Sequence, residues 1–326
     1  MPDVPFPFAF ENKRYHTLAY ENRARGWKVH KAAVDAGFTC PNLDGTKGSG
    51  GCIFCSGGSS YFAAPAAVPI EEQIRRETER LRRKDPQARA VAYFQAHTNT
   101  YAPAAHLRAL YERALACEGI CGLTVATRPD ALDEDVLDLL DELNGRTMLC
   151  VELGLQTIHA ATAHAIRRGY DLPVFEKSFR ALQARGIRTC VHLIDGLPGE
   201  TEEMMLRSAA YVGALRPDGV KLHMLHVIRG TALADLYAAG QYTPMSREAY
   251  VRLVCCQLEL LPPETVIERL TGDGDKRTLL APDWSRDKIR TLGSIDQLLS
   301  RQNSWQGRFF ADPEARIRAF LSEASK

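Results

Sequence analysis

The stretch CPNLDGTKGSGGCIFC, residues 40–55, decides how this chain is read. It sets three cysteines eleven and then two residues apart in a glycine-rich loop. A disulfide needs two thiols, and a structural zinc site usually takes four protein ligands. Three thiolates match a cubane of four irons and four sulfides held at three corners, with the fourth iron open to a small molecule. The glycines at 45, 48, 50, 51, 57 and 58 suit a loop wrapped on such a cluster, where positive φ and close backbone approach are needed. Two other readings stand beside it. One is zinc, with His30 or a distant histidine as fourth ligand; the other is a thioredoxin-like pair, Cys52 and Cys55, with Cys40 incidental.

The chain around this loop has 326 residues, 45% hydrophobic and 25% charged, enough to bury a core without disulfide staples. A formal net charge of +1 provides no global field for nucleic acid or membrane. The N-terminus, MPDVPFPFAFENKRYHTLAY, lacks a basic run followed by an apolar stretch and is not expected to be a signal peptide. No apolar run has the length of a membrane span. Nine cysteines outside any small secreted pattern point to a reducing, cytoplasmic setting.

From residue 70 onward, helical and strand-like segments alternate. Helical periodicity marks 70–84, 104–117, 133–144, 174–186 and 202–215; β-branched runs mark 88–95, 119–128, 147–156, 187–196 and 218–227. With 27–38 as the first strand, the pattern predicts an α/β fold of six βα units and a parallel sheet. Periodicity leaves open whether these curl into a barrel or lie as an open doubly wound sheet. In both cases ligands gather at the carboxyl ends of the strands, where the cysteine loop follows strand one. The expected domains are an N-terminal segment (1–26), a core (27–245) and a C-terminal α/β extension (246–326) packed on that core.

Several motifs carry a resemblance. The cysteine loop resembles the cluster loop of the radical S-adenosylmethionine (radical SAM) superfamily in a long-spaced variant. VELGLQTIHAATAHAIRRGYDL (151–172), ATRPD (126–130) and HLIDGLPGET (192–201) are similar to strand motifs of the elongator catalytic subunit and of oxygen-independent coproporphyrinogen oxidase. DAGFTCPNLDGTKGSGGCIFC, YFQAHTNTYA (93–102), KLHMLHVIRGT (221–231) and RQNSWQG (301–307) resemble a compact bacterial family of radical SAM proteins, some linked to modification of the wobble uridine of tRNA.

The resemblance implies a partial (β/α)6 TIM-like barrel. It implies a 4Fe–4S cluster on Cys40, Cys52 and Cys55, with S-adenosylmethionine (SAM) on the open iron. An electron from an external flavodoxin- or ferredoxin-like donor would then cleave SAM to methionine and a 5′-deoxyadenosyl radical. By motif position, Phe54 lies against the adenine, and Gln156 and Arg168 fall where relatives contact the ribose and the SAM carboxylate. His192 falls at a ribose-binding position, and Gln95 and Thr98 lie at the tip of strand two, where many relatives carry Gly-Gly-Glu. Ala126 stands where several relatives carry a glutamate for the SAM amino group, so Glu152 or the strand-two tip is expected to substitute. The bland alternative for Glu152 is a buried ion pair with Arg128 or Arg168.

The other six cysteines show no cluster spacing and read as small buried hydrophobes. Basic residues on 75–84 read as a solvated helix face laced by glutamates. Arg286, Lys288 and Arg290 with Trp284 and Trp305 form a candidate nucleic-acid contact, and NSWQG is expected near a substrate entrance. The predicted activity is a radical SAM enzyme acting on the C5 side chain of a wobble uridine, with tRNA as partner and no membrane. A small metabolite or protein substrate is the alternative, and an electron-transfer module without chemistry of its own is the reading from another class.

Overall fold

The computed structural model describes residues 6–56, 63–272 and 274–324; Gly57 and Gly58 of the cysteine loop lie outside them. Six strands occupy the six predicted runs: β1 (Val29–Val34), β2 (Arg89–Phe94), β3 (Ile120–Thr127), β4 (Met148–Gln156), β5 (Arg188–Asp195) and β6 (Gly219–Met224). They pair in sequence order, all parallel. Short β7 (Val227–Ile228) and β9 (Leu279–Ala281) form a separate antiparallel pair. A seventh strand joins the large sheet from the C-terminal segment: β8 (Val266–Arg269), parallel to β6. Four residues are too few for periodicity to declare a strand.

The crossovers carry α2 (Ile70–Arg82), α3 (Ala104–Leu115), α4 (Glu134–Asn144), the short α5 (Ala160–Ala165) with α6 (Leu172–Ala184), and α7 (Glu202–Leu215). Each of the longer helices turns an apolar stripe onto the sheet; α4 buries Val136, Leu137, Leu139, Leu140 and Leu143. Thr201 caps α7 by accepting from the Met204 amide, and Asp133 caps α4 the same way at Val136. On the solvent face of α2, Arg75 and Arg76 pair with Glu72 and Glu79, and Arg80 with Glu77. That is the laced face the sequence suggested.

The sheet curls into a half-barrel whose first and last strands face each other across an open seam. Ionic side chains bridge the seam: Lys31 of β1 donates to Glu268 of β8 and to Glu152 of β4, both at 2.9 Å. Helix α1 (Leu18–Arg25) lies beside it, and Thr17 makes a parallel bridge to Ile267 on the edge of β8.

One motif of the tail, NSWQG, differs from expectation. After α8 (Ala232–Ala238), α9 (Arg247–Leu260) packs on α7 and on α10 (Lys288–Arg301), and α11 (Pro313–Ala324) closes the chain. Gln306 of the NSWQG motif is 0% exposed and makes a clasp. Its Oε1 accepts from the His16 amide at 2.9 Å, and its Nε2 donates to the Pro262 and Thr265 carbonyls at 2.6 and 2.8 Å. Ser304 donates to Glu259, which also pairs with Arg316. These contacts sit before the first residue of β8, at the end of the sheet away from the cysteine loop. NSWQG is a structural latch there, not part of an entrance. Trp284 likewise packs against Tyr250 and donates to the Met245 carbonyl at 2.9 Å, and Arg286 donates to the Lys276 and Leu279 carbonyls.

Candidate functional site

The loop after β1 is shaped by its own backbone. Leu43 and Asp44 amides donate to the Cys40 carbonyl, Lys47 and Gly48 amides to Pro41, and the Gly51 amide to Asn42. Gly51 has φ +75°, and a Cβ there would lie 2.9 Å from the Leu43 side chain, so the position favours glycine. In the Cys-Ile-Phe-Cys turn the Cys55 amide donates to the Cys52 carbonyl at 2.9 Å. Ile53, 5% exposed, is the anchor. It packs with Ile166, Leu197, Leu225 and Leu233, donates to the Ile166 carbonyl and accepts from the Leu233 amide. The apolar residue between the two cysteines thus fixes the turn from below.

A cavity of about 380 Å³ opens at the carboxyl ends of the strands. Its wall includes all ten residues singled out from the sequence: Cys40, Cys52, Phe54 and Cys55 from the loop, Gln95 and Thr98 after β2, Glu152 and Gln156 from β4, Arg168, and His192 from β5. The three cysteines are half-buried and unbridged. Burial, and then the neighbouring Cys55, push the Cys52 thiol up to about 11, while Arg128 pulls the other way. Among the described residues no three His, Cys, Asp or Glu side chains converge as they would on a single ion. His30, the zinc alternative, faces Asp85 at 3.5 Å instead. Three unbridged thiols on one cavity wall are the donor set that three corners of a polynuclear cluster need.

Beside the cysteines, the end of β4 bulges between Gly154 and Gln156. Gln156 has φ +64°, and its Nε2 lies 2.4 Å from where a Gly154 Cβ would be, so the amide occupies space only glycine leaves. Its Oε1 accepts from the Tyr170 hydroxyl at 3.0 Å. Arg168 is 2% exposed. Nη1 donates to the Leu155 and Thr157 carbonyls at 2.6 Å, Nε donates to Tyr170, and the guanidinium lies 4.5 Å from the Tyr170 ring centroid. Arg128 flanks that ring at 4.9 Å and pairs with Asp130 at 2.9 Å. At the strand-two tip, Thr98 is buried, its amide donating to the Thr39 carbonyl at 3.2 Å.

Glu152, expected as a SAM contact, lines the cavity and is held by donors of the chain itself. Its side chain is fully buried and accepts from Lys31 at 2.9 Å, Tyr93 at 2.8 Å, His192 at 3.0 Å and Lys221 at 2.5 Å. Burial works against its charge, yet Lys221, Lys31 and His192 hold it well below the usual carboxylate range. Four donors from the chain leave the carboxylate little to offer an ammonium group. Nor does it pair with Arg128 or Arg168, the partners considered from sequence. Burial, then Lys221, push the His192 imidazole down, and His223 is pushed further down by burial and by His192 itself. Both are therefore neutral at neutral pH. The two rings lie 5.3 Å apart, and among the described residues no partner takes His223 Nε2.

Sequence reading passed over Tyr93, Tyr170, Lys221, His223 and Arg269 on this wall. One signal was present: in KLHM the polar residues alternate, and a period of two puts Lys221 and His223 on one face of β6.

Known proteins resemble this chain in sequence and in fold. The sequence profile of the Radical SAM superfamily matches residues 45–212, and that of the Radical SAM C-terminal domain matches residues 217–301. The chain is 45% identical over 312 residues to the uncharacterized protein YtqA of Bacillus subtilis, covering 95% of this chain and 97% of YtqA. It is 33% identical over 156 residues to Elongator complex protein 3 of Danio rerio, 47% of this chain and 28% of that one. Among solved structures, archaeal Elp3 from Methanocaldococcus infernus superposes with a TM-score of 0.63 at 17% identity, over 85% of this chain and 64% of that one. That likeness is one of fold. No helix among the described residues is long and apolar enough to cross a membrane.

Proposed function

The chain belongs to the radical SAM superfamily, and from that premise we propose that it modifies the C5 side chain of a wobble uridine in tRNA, using the cavity above as its active site. Its cofactors are a 4Fe–4S cluster and SAM. Together they supply reductive cleavage of the sulfonium bond and a 5′-deoxyadenosyl radical that abstracts hydrogen. In this reading Cys40, Cys52 and Cys55 hold the cluster. Phe54 lies against the adenine, Gln156 and His192 face the ribose, and Gln95 and Thr98 lie toward the SAM amine. Arg168, oriented by three backbone bonds, keeps Nη2 for the SAM carboxylate. Glu152 acts from beneath, holding His192, Tyr93 and Lys221 in place.

The observation that carries the reading is the convergence of all ten residues, drawn from loops and strands up to 152 positions apart, on one cavity. Cys40 and His192 are the extremes. The choice of tRNA rests on the 156-residue similarity to Elongator complex protein 3. A flavodoxin- or ferredoxin-like protein as reductant and a cytoplasmic location belong to the same proposal.

Two measurements test it. Anaerobically reconstituted protein with SAM and a reductant should release 5′-deoxyadenosine; a coloured protein that releases none would leave the electron-transfer reading, and a colourless one would overturn the cluster itself. Nucleoside analysis of tRNA from a deletion strain should show an altered wobble uridine. An unchanged profile would move the substrate to a metabolite or a protein.

A further inference from the structure

Asn42, two residues after Cys40, is 4% exposed. Its amide nitrogen lies 2.6 Å from the Arg167 carbonyl oxygen, 3.1 Å from that of Arg168 and 3.6 Å from Sγ of Cys52. Carbonyl oxygens only accept, so it must be the nitrogen of the amide that faces them, and the usual flip ambiguity of asparagine does not arise. Two N–H bonds therefore serve three acceptors. The shortest contact takes one hydrogen; the second lies between the Arg168 carbonyl and the sulfur.

The surroundings hold the amide in this orientation. Gly169 has φ +82°, and a Cβ there would sit 2.3 Å from Asn42 Oδ1; at Gly48 a Cβ would sit 3.2 Å from the same atom. Two glycines thus make the slot that the amide fills. The Arg168 carbonyl that receives the amide also accepts from Arg128 at 2.8 Å. One small side chain therefore ties a cysteine sulfur to the turn that carries Arg168.

Hydrogen bonds to the sulfurs of an iron–sulfur centre stabilise its more negatively charged, reduced form and raise its potential. We propose that Asn42 is a positioning residue for the cluster: its side-chain N–H donates to the Cys52 sulfur, favours the reduced state, and locks that sulfur to the backbone of Arg168. This rests on Cys52 being a cluster ligand.

The test uses reconstituted, full-length holoprotein. With ¹⁵N in the asparagine side chains, pulsed EPR of the reduced wild-type cluster should show a weak ¹⁵N coupling that Asn42→Ala removes. In an EPR-monitored redox titration, Asn42→Ala should bind iron at the wild-type level. At a fixed poise its reduced-to-oxidised ratio should fall about tenfold, which is about 59 mV for one electron. Asn42→Asp, isosteric but without the donor and with added charge, should fall further. A wild-type cluster without the ¹⁵N coupling overturns the proposal even if a variant fails to fold. So do two folded variants that titrate with the wild type. A wild-type protein that binds no iron overturns the ligand reading and this inference together.

Discussion

The cysteine loop at residues 40–55 and the tail motif at 301–307 both look functional in sequence, each a compact polar stretch with glycine. The structure places them at opposite ends of the half-barrel and treats their polar groups differently. In the tail, Gln306 and Ser304 are 0% exposed, and the side-chain bonds of both end on the chain itself. In the loop, backbone bonds make the shape while three half-buried thiols are turned to a cavity. A buried polar group satisfied by its own chain stabilises the fold; one presented to a cavity is available to a ligand. Residue type does not distinguish the two cases.

The sharpest way to break this contrast is to remove one member of each region. Cys52→Ala should abolish iron binding at the third corner and reduce 5′-deoxyadenosine formation below detection, while the thermal midpoint of the apoprotein stays near wild type. A variant that still releases deoxyadenosine would remove the loop from the chemistry. Within the barrel, Glu152→Gln leaves Lys31 and Lys221 without their shared carboxylate. The expected cost is about 3–5 kcal/mol, read from urea unfolding. Gln306→Ala strands the His16 amide and two carbonyls. It should cost roughly 3 kcal/mol, with iron binding and deoxyadenosine formation per folded molecule unchanged. Loss of iron in that variant would contradict a purely structural latch.

A pH-dependent effect sits at the carboxyl end of β5. Asp195, at the end of β5, accepts from Gln257 of α9 at 2.6 Å. Burial pushes its carboxyl up to about 8, against the Gln257 bond and with help from Glu200. Because the folded value lies above the usual carboxylate range, folding favours the protonated form. That contribution is complete below about pH 4 and lost as pH rises through about 8. Asp195→Asn should flatten this slope, measured as the unfolding midpoint between pH 5 and 9. The smallest effect belongs to the α2 surface: Arg75→Ala removes solvated ion pairs to Glu72 and Glu79 and should leave the midpoint unchanged within error.

Much of the fold was legible in the sequence. Periods of 2 and 3.6 marked six parallel strands and the helices between them, because burial of one face is a local property of each segment. The cysteines could be placed because they are close in sequence and their loop is shaped by its own backbone, whereas Phe54 came from resemblance. Gln156 and Arg168 came from resemblance, and the bulge and the Gly154 slot that seat Gln156 carry no periodic signal.

The sequence alone determined the βα repeat and the position of a three-cysteine loop at its functional end, since both are written in short-range spacing. Only the tertiary structure decided that Glu152 serves Lys31, Lys221 and His192, that NSWQG clasps the far end, and that Asn42 reaches Cys52 and Arg168 together. Most of these pairings join residues tens to hundreds of positions apart: Lys31 meets Glu268 across 237 positions. Closure of the curled sheet brings such partners together, and which donor meets which acceptor is settled by burial in three dimensions rather than by pattern along the chain.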